Sequence, residues 1–213
     1  MAMVNLLFVL LLSLIPLVQQ PQQQTGADRP LAEYLKIMEG ERRVSELQIG
    51  KVIETLGIKP NAKVADIGAG SGLFTRPLAK AVGVNGVVYA AEIRQDLVDC
   101  LAQQARERKL GNVRAVLAAE DDPRLPEPVD LIVIIDTLHH IKSQPAYLKN
   151  LRRHLTADGR IAVIDFKADY PVNHEHLKYT LSDLEGWMRG AGYVRAESHD
   201  FLACNFFVIY RRR

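Results

Sequence analysis

The chain has 213 residues, of which 48% are hydrophobic and 24% charged, and its formal net charge is +2. This composition indicates one ordinary globular domain with a sizeable core, and it argues against a strongly basic nucleic-acid-binding protein. The basic tail Arg211-Arg212-Arg213 is interpreted as a solvated chain end.

The N-terminus is apolar from Met3 to Val18, and no charged side chain precedes Asp28. A segment this short, interrupted by a proline, suits a secretory signal peptide better than a membrane span. Thr25 and Ala27 would then occupy the small-residue places before the cleavage point. Residues 1–27 are therefore predicted to be a signal peptide with a Gln-rich linker, which implies export. An uncleaved membrane anchor is the alternative, because no basic residue opens the leader.

After the leader, apolar residues recur with helical and strand periods in turn. Helices are predicted at Leu31–Met38, Val44–Leu56, Leu73–Val82, Arg94–Leu110, Gln144–Leu155 and Leu181–Arg189. Strands are predicted at Lys63–Ile67, Val87–Ala91, Val113–Leu117, Asp130–Asp136, Arg160–Phe166, Tyr193–Ser198 and Phe206–Arg211.

This alternation predicts an α/β domain over residues 28–213. Helical crossovers join parallel strands, so the sheet should be mostly parallel and covered on both faces, as a three-layer sandwich. The link before the seventh strand is too short for a crossover helix, so that strand should run antiparallel to its neighbour. Residues 157–159 are predicted to turn the chain into the fifth strand.

A glycine-rich loop directly follows the first predicted strand. The strand closes on Asp66, and Gly68, Gly70 and Gly72 follow at alternate positions. Glycine permits a tight turn and a close approach of the backbone to a ligand, which side chains at these positions would obstruct. A dinucleotide-binding fingerprint needs its third glycine where this chain has Leu73. The loop therefore predicts a different nucleoside-cofactor site.

This glycine pattern resembles the first motif of the class I S-adenosylmethionine-dependent methyltransferases. The resemblance covers Leu31 to Tyr210 and is strongest over Val64–Glu92 and Asp130–Phe166. It implies a Rossmann-like fold, S-adenosyl-L-methionine as cofactor, and a small-molecule or lipid-like methyl acceptor. An NAD(P)-dependent Rossmann oxidoreductase and a non-catalytic cofactor-binding domain are the alternatives. The cofactor contacts implied in this first segment are Asp66, Gly68, Ala69, Gly70, Ser71 and Gly72.

Further cofactor contacts are expected after the second and third strands. Glu92 is placed to accept hydrogen bonds from both ribose hydroxyls, as the family's ribose-binding acid does. Ile93 would pack on the adenine face. The resemblance also implies that Asp121 contacts the adenine amino group, with Glu120 and Asp122 as alternatives.

The fourth predicted strand ends at Asp136, and His139 and His140 follow. On this architecture the segment lies nearest the reacting methyl group, so these three residues are the candidate catalytic side chains, and Asp136 is also a candidate cofactor contact. Adjacent imidazoles suit a general base or metal ligands. They also suit a plain pocket wall, as in the small-molecule and quinone C-methyltransferases that the segment resembles. Successive turn residues point in different directions, so at most one imidazole should face the pocket.

No metal site is predicted. Asp136 and Asp165 end adjacent strands, as in the magnesium site of catechol-type O-methyltransferases, but a hard cation needs further oxygen ligands. The cation Lys167 follows instead. The His174-x-His176 motif is interpreted as a surface loop over the pocket, because no cysteine or further histidine recurs at ligand spacing.

Two smaller groups complete the predictions. Cys100 and Cys204 are interpreted as buried free thiols, with a disulfide as the alternative in an exported chain. Tyr34, Arg42 and Gln48 precede the glycine loop and are candidates for a helical lid over cofactor and acceptor. The alternative is that they are simply exposed polar residues on amphipathic helices.

Overall fold

The computed structural model describes residues 29–167 and 179–213. The predicted leader, its cleavage point and the His174-x-His176 motif lie outside these ranges. Within them, no helix is both long and apolar enough to cross a membrane.

The described chain is built around one seven-stranded sheet. Its strands are β1 Lys63–Ile67, β2 Val87–Glu92, β3 Val113–Leu117, β4 Val129–Ile135, β5 Leu155–Phe166, β6 Tyr193–His199 and β7 Asn205–Arg212. The strand order is β3-β2-β1-β4-β5-β7-β6. Strands β1 to β5 pair in parallel, and β7 runs antiparallel to both β5 and β6. The predicted Rossmann-like α/β sandwich with an antiparallel last strand is confirmed.

Helices cover the sheet. They are α1 Leu31–Met38, α2 Glu41–Glu46, α3 Ile49–Thr55, α4 Thr75–Val82, α5 Gln95–Glu107, α6 Gln144–Asn150 and α7 Leu181–Gly190. Successive side chains of a strand point to opposite faces. In β4, accordingly, Ile132 and Ile134 join one apolar cluster, while Leu131 and Val133 join the other. Both faces are covered, which explains why residues 131–135 of this strand are an unbroken apolar run.

Two predicted helices are shorter than expected. The segment predicted as one helix over Val44–Leu56 is divided into α2 and α3, because Gln48 adopts a left-handed backbone with φ of 42°. The helix predicted over Gln144–Leu155 ends at Asn150 and continues as a short 3₁₀ turn. In both cases the apolar spacing continues through the break, so periodicity alone does not reveal it.

The turn predicted at residues 157–159 is wrong. These residues lie inside β5, where Val129 of β4 is paired with Leu155 and Leu131 with Arg160. The extra residues are accommodated as an irregularity in the strand, so the chain bulges instead of turning. The carboxyl ends of β1, β2, β4 and β5 still meet at one edge of the sheet, where open α/β sheets bind their ligands.

Both cysteines of the described chain are free thiols. Cys100 lies half-buried on α5, and Cys204 is buried just before β7. The prediction of free thiols is therefore confirmed, although only Cys204 is fully buried.

Candidate functional site

The glycine loop after β1 is held in a left-handed backbone. Gly68, Gly70 and Gly72 have φ values of 70°, 55° and 78°. A Cβ on Gly68 would lie 2.4 Å from the Thr137 side chain, and one on Gly72 would lie 2.9 Å from Cδ2 of Leu101. We expected a bound ligand to be the reason that side chains are excluded at these two positions. The reason at Gly68 and Gly72 is instead the packing of Thr137 and Leu101 against the loop.

Gly70 differs from the other two glycines, because the nearest atom to a Cβ there would be the Tyr34 hydroxyl oxygen, at 3.3 Å, further away than the nearest atoms at Gly68 and Gly72. Its amide donates a hydrogen bond to Oε2 of Glu92 over 3.0 Å, and Oε1 of the same carboxylate accepts from the Ile93 amide over 2.7 Å. Glu92 is buried, whereas the Ile93 side chain is 55% exposed. The sheet edge thus presents a carboxylate beside an uncovered apolar surface.

Asp66 is buried beneath this loop, and its Oδ2 accepts a hydrogen bond from the Thr75 hydroxyl over 2.6 Å. Its partner is therefore at the start of α4. Burial raises the pKa of Asp66 to about 6, the Thr75 hydrogen bond lowers it, and the nearby Glu92 carboxylate raises it. Two acids in one cleft favour a ligand that carries positive charge.

The raised pKa of Asp66 predicts a pH-dependent stability. An unfolded aspartate has a pKa of 3.8, so the folded state holds the proton more tightly between that value and about 6. The unfolding free energy that Asp66 contributes is therefore highest at low pH and falls as pH rises through this window, by about 2 to 3 kcal/mol.

Urea unfolding of the wild type and of Asp66→Asn, at about pH 4 and about pH 7.5, measures this effect. The stability of the variant relative to the wild type should rise by about 2 to 3 kcal/mol between the two pH values. Asp158→Asn, at an exposed position, controls for the loss of an aspartate in general. A relative stability that does not change with pH would contradict the prediction.

Asp136, at the end of β4, is held by protein groups. Its Oδ2 pairs with the Arg43 guanidinium over 2.8 Å, and its Oδ1 accepts from the Asn205 amide over 2.7 Å. Burial raises the pKa of Asp136, and Arg43 opposes that rise. Arg42, the lid candidate, is instead 79% exposed and pairs with Glu46. In a helix of six residues the apolar period is too short to show which of two adjacent arginines faces inward.

The two adjacent histidines have different environments. His139 is buried, and its Nδ1 lies 2.7 Å from Oδ1 of Asp165 at the end of β5. Tyr179 donates its hydroxyl to Oδ2 of the same carboxylate over 3.0 Å. His140 is exposed, and its ring centroid lies 4.0 Å from that of His139. Sequence reasoning treated Asp165 only as a possible metal ligand and did not identify Tyr179.

Asp136 and Asp165 do not form a shared acidic pocket. Asp136 is bonded to Arg43 and Asn205, and the Asp165 carboxylate accepts four hydrogen bonds from protein donors. In residues 29–167 and 179–213, no group of three or more His, Cys, Asp or Glu side chains could hold a metal ion.

The three adjacent acids of the loop after β3 have different environments. Glu120 pairs with Lys142 at the surface, and Asp122 accepts from the Arg124 amide and from His154. The Asp121 side chain is exposed and makes no hydrogen bond or ion pair with any described residue. Asp121 is therefore the acid of the three that is available to a ligand. A cavity of about 480 Å³ lies here, between this loop and α6.

The helices before β1 pack over the glycine loop. The Arg94 guanidinium lies over the Tyr34 ring, with its Cζ 5.1 Å from the ring centroid. Burial raises the pKa of the Tyr34 hydroxyl. Glu39 pairs with Arg76 of α4 over 2.8 Å. Of the lid candidates, Tyr34 therefore reaches the loop. Gln48 instead donates its amide to the Phe201 carbonyl over 2.8 Å.

Comparisons with known proteins find similarity to methyltransferases. Residues 65–161 match the family described as a methyltransferase domain. A ubiquinone/menaquinone biosynthesis C-methyltransferase from Burkholderia cenocepacia is 26% identical over 152 residues, which cover 71% of this chain and 62% of that protein. The aligned part thus spans less than two thirds of this relative's length.

Solved structures share the fold. A SAM-dependent methyltransferase from Aquifex aeolicus is 23% identical with a TM-score of 0.78, and the match covers 87% of this chain and 100% of that one. The 1,6-didemethyltoxoflavin-N1-methyltransferase of Burkholderia thailandensis, with 1,6-didemethyltoxoflavin and S-adenosylhomocysteine bound, is 20% identical with a TM-score of 0.64, over 86% of this chain and 84% of that one. At these identities the likeness establishes the architecture.

Proposed function

We propose that this chain transfers a methyl group from S-adenosyl-L-methionine to a small-molecule acceptor. The match of residues 65–161 to the methyltransferase-domain family, and the fold shared with a solved SAM-dependent methyltransferase, support the proposal. The observation that carries the proposal is the bond from the Gly70 amide to the buried Glu92 carboxylate. It joins the glycine loop of one strand to the acid that ends the next.

The residues at this edge fit the proposed cofactor. Glu92 would accept hydrogen bonds from the ribose hydroxyls, and the exposed Ile93 side chain would cover the adenine face. Asp121 would accept from the adenine amino group, and Asp66 would favour the cationic methionine end of the cofactor. The bound sulfonium supplies an electrophilic methyl group, so the protein mainly has to align the acceptor with it.

A nicotinamide dinucleotide fits the loop less well. The position that needs the third glycine of a dinucleotide fingerprint is Leu73, whose half-buried side chain packs against the apolar cluster under the loop. The backbone there cannot approach a pyrophosphate as closely as glycine would allow.

Replacing Glu92 with glutamine should weaken S-adenosylhomocysteine binding by about 1 to 3 kcal/mol, roughly tenfold to hundredfold in Kd. The amide keeps the shape of the side chain but loses the charge and one of the two acceptor oxygens, which accept from the Gly70 and Ile93 amides and would also accept from the ribose hydroxyls. Calorimetric titration of the purified protein measures the change.

The variant Glu54→Gln, at an exposed position of α3, is the matched control and should bind as the wild type does. Titration of the wild type with NAD should give no heat. If the wild type gave no heat with S-adenosylhomocysteine, the proposed function would be overturned, and an unchanged affinity in Glu92→Gln would remove Glu92 from the site.

The apolar leader supports a further part of the proposal, that the domain starting at residue 28 is exported. Its length, its proline and the small residues before Asp28 fit a cleaved signal peptide, and an uncleaved anchor would instead hold the domain at a membrane. Cell fractionation combined with N-terminal sequencing of the mature protein decides between them. A mature chain that begins at Asp28 supports cleavage, and an intact N-terminus in the membrane fraction supports the anchor.

A further inference from the structure

The cavity between the loop after β3 and α6 is spanned by contacts within the protein. Glu120 of the loop pairs with Lys142 over 2.7 Å, and the Asp121 carbonyl accepts a hydrogen bond from the Asn150 amide over 2.9 Å. The cavity has a volume of about 480 Å³, which is in the range of pockets that hold small molecules. The loop is thus fastened to α6 around a space large enough for a ligand.

Tyr147 brings an unpartnered polar group to this cavity. The residue lines the cavity and is only 4% exposed, and its hydroxyl makes no hydrogen bond with any residue of the described ranges. Burial raises the pKa of this hydroxyl, and the carboxylates of Asp122 and Asp121 raise it further, so the hydroxyl lies within electrostatic reach of both acids. A buried polar group without a partner is costly, and a ligand that bonds to it would remove that cost.

The charges around the cavity leave one acid and one base unpaired. The charged residues that line it are Glu120, Asp121, Asp122, Arg124, Lys142 and Arg153. Glu120 pairs with Lys142, and Asp122 pairs with Arg153. The exposed side chains of Asp121 and Arg124 form no hydrogen bond or ion pair with any residue that the structure describes. A ligand with one charge of each sign would therefore complete the lining.

The uncharged part of the lining is largely apolar. Ala119 lies on the loop, and Ile141 and Ala146 lie on the side of α6, together with the Tyr147 ring. Such a surface stabilises an apolar group by removing it from water. The ligand should therefore carry an apolar part besides its two charges.

The cavity is distinct from the proposed cofactor site. The three glycines of the loop after β1, Glu92 and Ile93 do not line it. Asp121 lines the cavity and is also the proposed adenine contact. A carboxylate has about four acceptor positions, so Asp121 can accept from a second ligand and from adenine together.

We propose that this cavity binds a free α-amino acid with an apolar side chain. The ammonium group would donate to the Asp121 carboxylate and to the Tyr147 hydroxyl, and the carboxylate would accept from the Arg124 guanidinium. The apolar side chain would lie against Ala119 and Ala146. Both charged partners are exposed to water, so the expected Kd is on the order of 0.1 to 1 mM.

Amino acids and two analogues of leucine test the ligand class. L-Leucine, L-phenylalanine, 3-methylbutylamine and 4-methylpentanoate are titrated separately into the isotope-labelled full chain, and the backbone amide signals of residues 119–124 are followed. Both amino acids should give saturable shifts. The amine lacks the carboxylate of leucine and the acid lacks its ammonium group, so each should bind about tenfold more weakly than leucine. No saturable shift with either amino acid up to about 10 mM, or an analogue that binds as well as leucine, would overturn the proposal.

Tyr147→Phe removes only the hydroxyl and tests its role. Because the hydroxyl has no partner in the free protein, the variant should have an unchanged or higher Tm, while its affinity for leucine should fall about tenfold. Tyr210→Phe is the matched control, since the Tyr210 hydroxyl is also buried without a partner among the described residues but lies in β7, away from the cavity. Unchanged leucine affinity in Tyr147→Phe, or an equal loss in Tyr210→Phe, would contradict the assignment.

S-adenosylhomocysteine separates this site from the proposed cofactor site. Leucine affinity should change less than about tenfold when S-adenosylhomocysteine is saturating, and Glu92→Gln should keep it. Complete loss of leucine binding in the presence of S-adenosylhomocysteine would show that the cavity belongs to the cofactor site and would overturn the proposal. A protein that binds leucine but not S-adenosylhomocysteine would support this site and overturn the proposed function alone.

Discussion

Arg43→Met is expected to lower the free energy of unfolding by about 3 kcal/mol, because it removes one partner of an ion pair whose other partner is buried. The Asp136 side chain is only 6% exposed, and without Arg43 its carboxylate would keep only the Asn205 amide as hydrogen-bonding partner among the described residues. Arg43 itself is 24% exposed, which places the expected loss at the lower end of the range for buried pairs. The pair also joins α2 to the end of β4, so its loss should loosen the helices over the cofactor loop.

Urea unfolding of Arg43→Met and of Arg42→Met gives the comparison. Arg42 is 79% exposed and pairs with Glu46 on its own helix, so its removal should cost less than about 0.5 kcal/mol. Adding Asp136→Asn to Arg43→Met should recover part of the loss, since the uncompensated charge is then gone. Equal losses for the two arginine variants would show that the pair with Asp136 contributes nothing specific.

Gly68→Ala is expected to destabilise the protein by about 3 kcal/mol or more and to abolish measurable S-adenosylhomocysteine binding. The backbone at Gly68 has φ of 70°, and a Cβ would lie 2.4 Å from both Cγ2 and Oγ1 of Thr137. Thr137 cannot rotate away cheaply, because it is β-branched and its hydroxyl donates to the Ile135 carbonyl over 2.8 Å. The loop would have to move, and with it the amide of Gly70.

A second glycine separates backbone strain from the steric clash with Thr137. Gly57 has φ of 54°, but a Cβ added to it would have no other atom within 4 Å. Gly57→Ala should therefore lower the free energy of unfolding only through backbone strain, by about 1 to 2 kcal/mol. Thr137→Gly added to Gly68→Ala should recover the steric part and leave the backbone part. If Gly68→Ala costs no more than Gly57→Ala by chemical unfolding, the close packing of Thr137 on the loop is not what requires glycine there.

Arg43→Met and Gly68→Ala both test whether contacts within the protein hold the site rigid in the absence of ligand. Glu92 accepts from the Gly70 amide, Thr137 packs on Gly68, and the pair of Arg43 with Asp136 holds the helices above. The proposed methyl transfer would depend on the alignment of acceptor, carbon and sulfur, so a small displacement at this edge would be costly. Stability and cofactor binding should therefore fall together when these contacts are removed.

The elements that sequence predicted well are those whose signal is local. Periodicity located all seven strands, and the glycine loop with Glu92 was placed at the carboxyl edge by the order of strands and helices. The failures are local conformations that periodicity does not report. Gln48 breaks a helix without interrupting its apolar spacing, and residues 157–159 bulge within a strand although their composition is that of a turn.

The contacts between distant positions could not be predicted in the same way. Arg43 and Asp136 are 93 residues apart, and His139 and Asp165 are 26 apart. No sequence pattern specifies such pairs, because their distance depends on how strands and helices pack.

Local sequence signals were enough to predict the layered α/β fold and to suggest the proposed cofactor, since alternating periods, a glycine-rich turn and the acid after the next strand are encoded in neighbouring residues. Tertiary structure alone decided which arginine enters the site, which of two adjacent histidines meets a carboxylate, and which of three adjacent acids stays available to a ligand. Those choices depend on side-chain direction and on partners from other strands and helices, which exist only once the chain has packed.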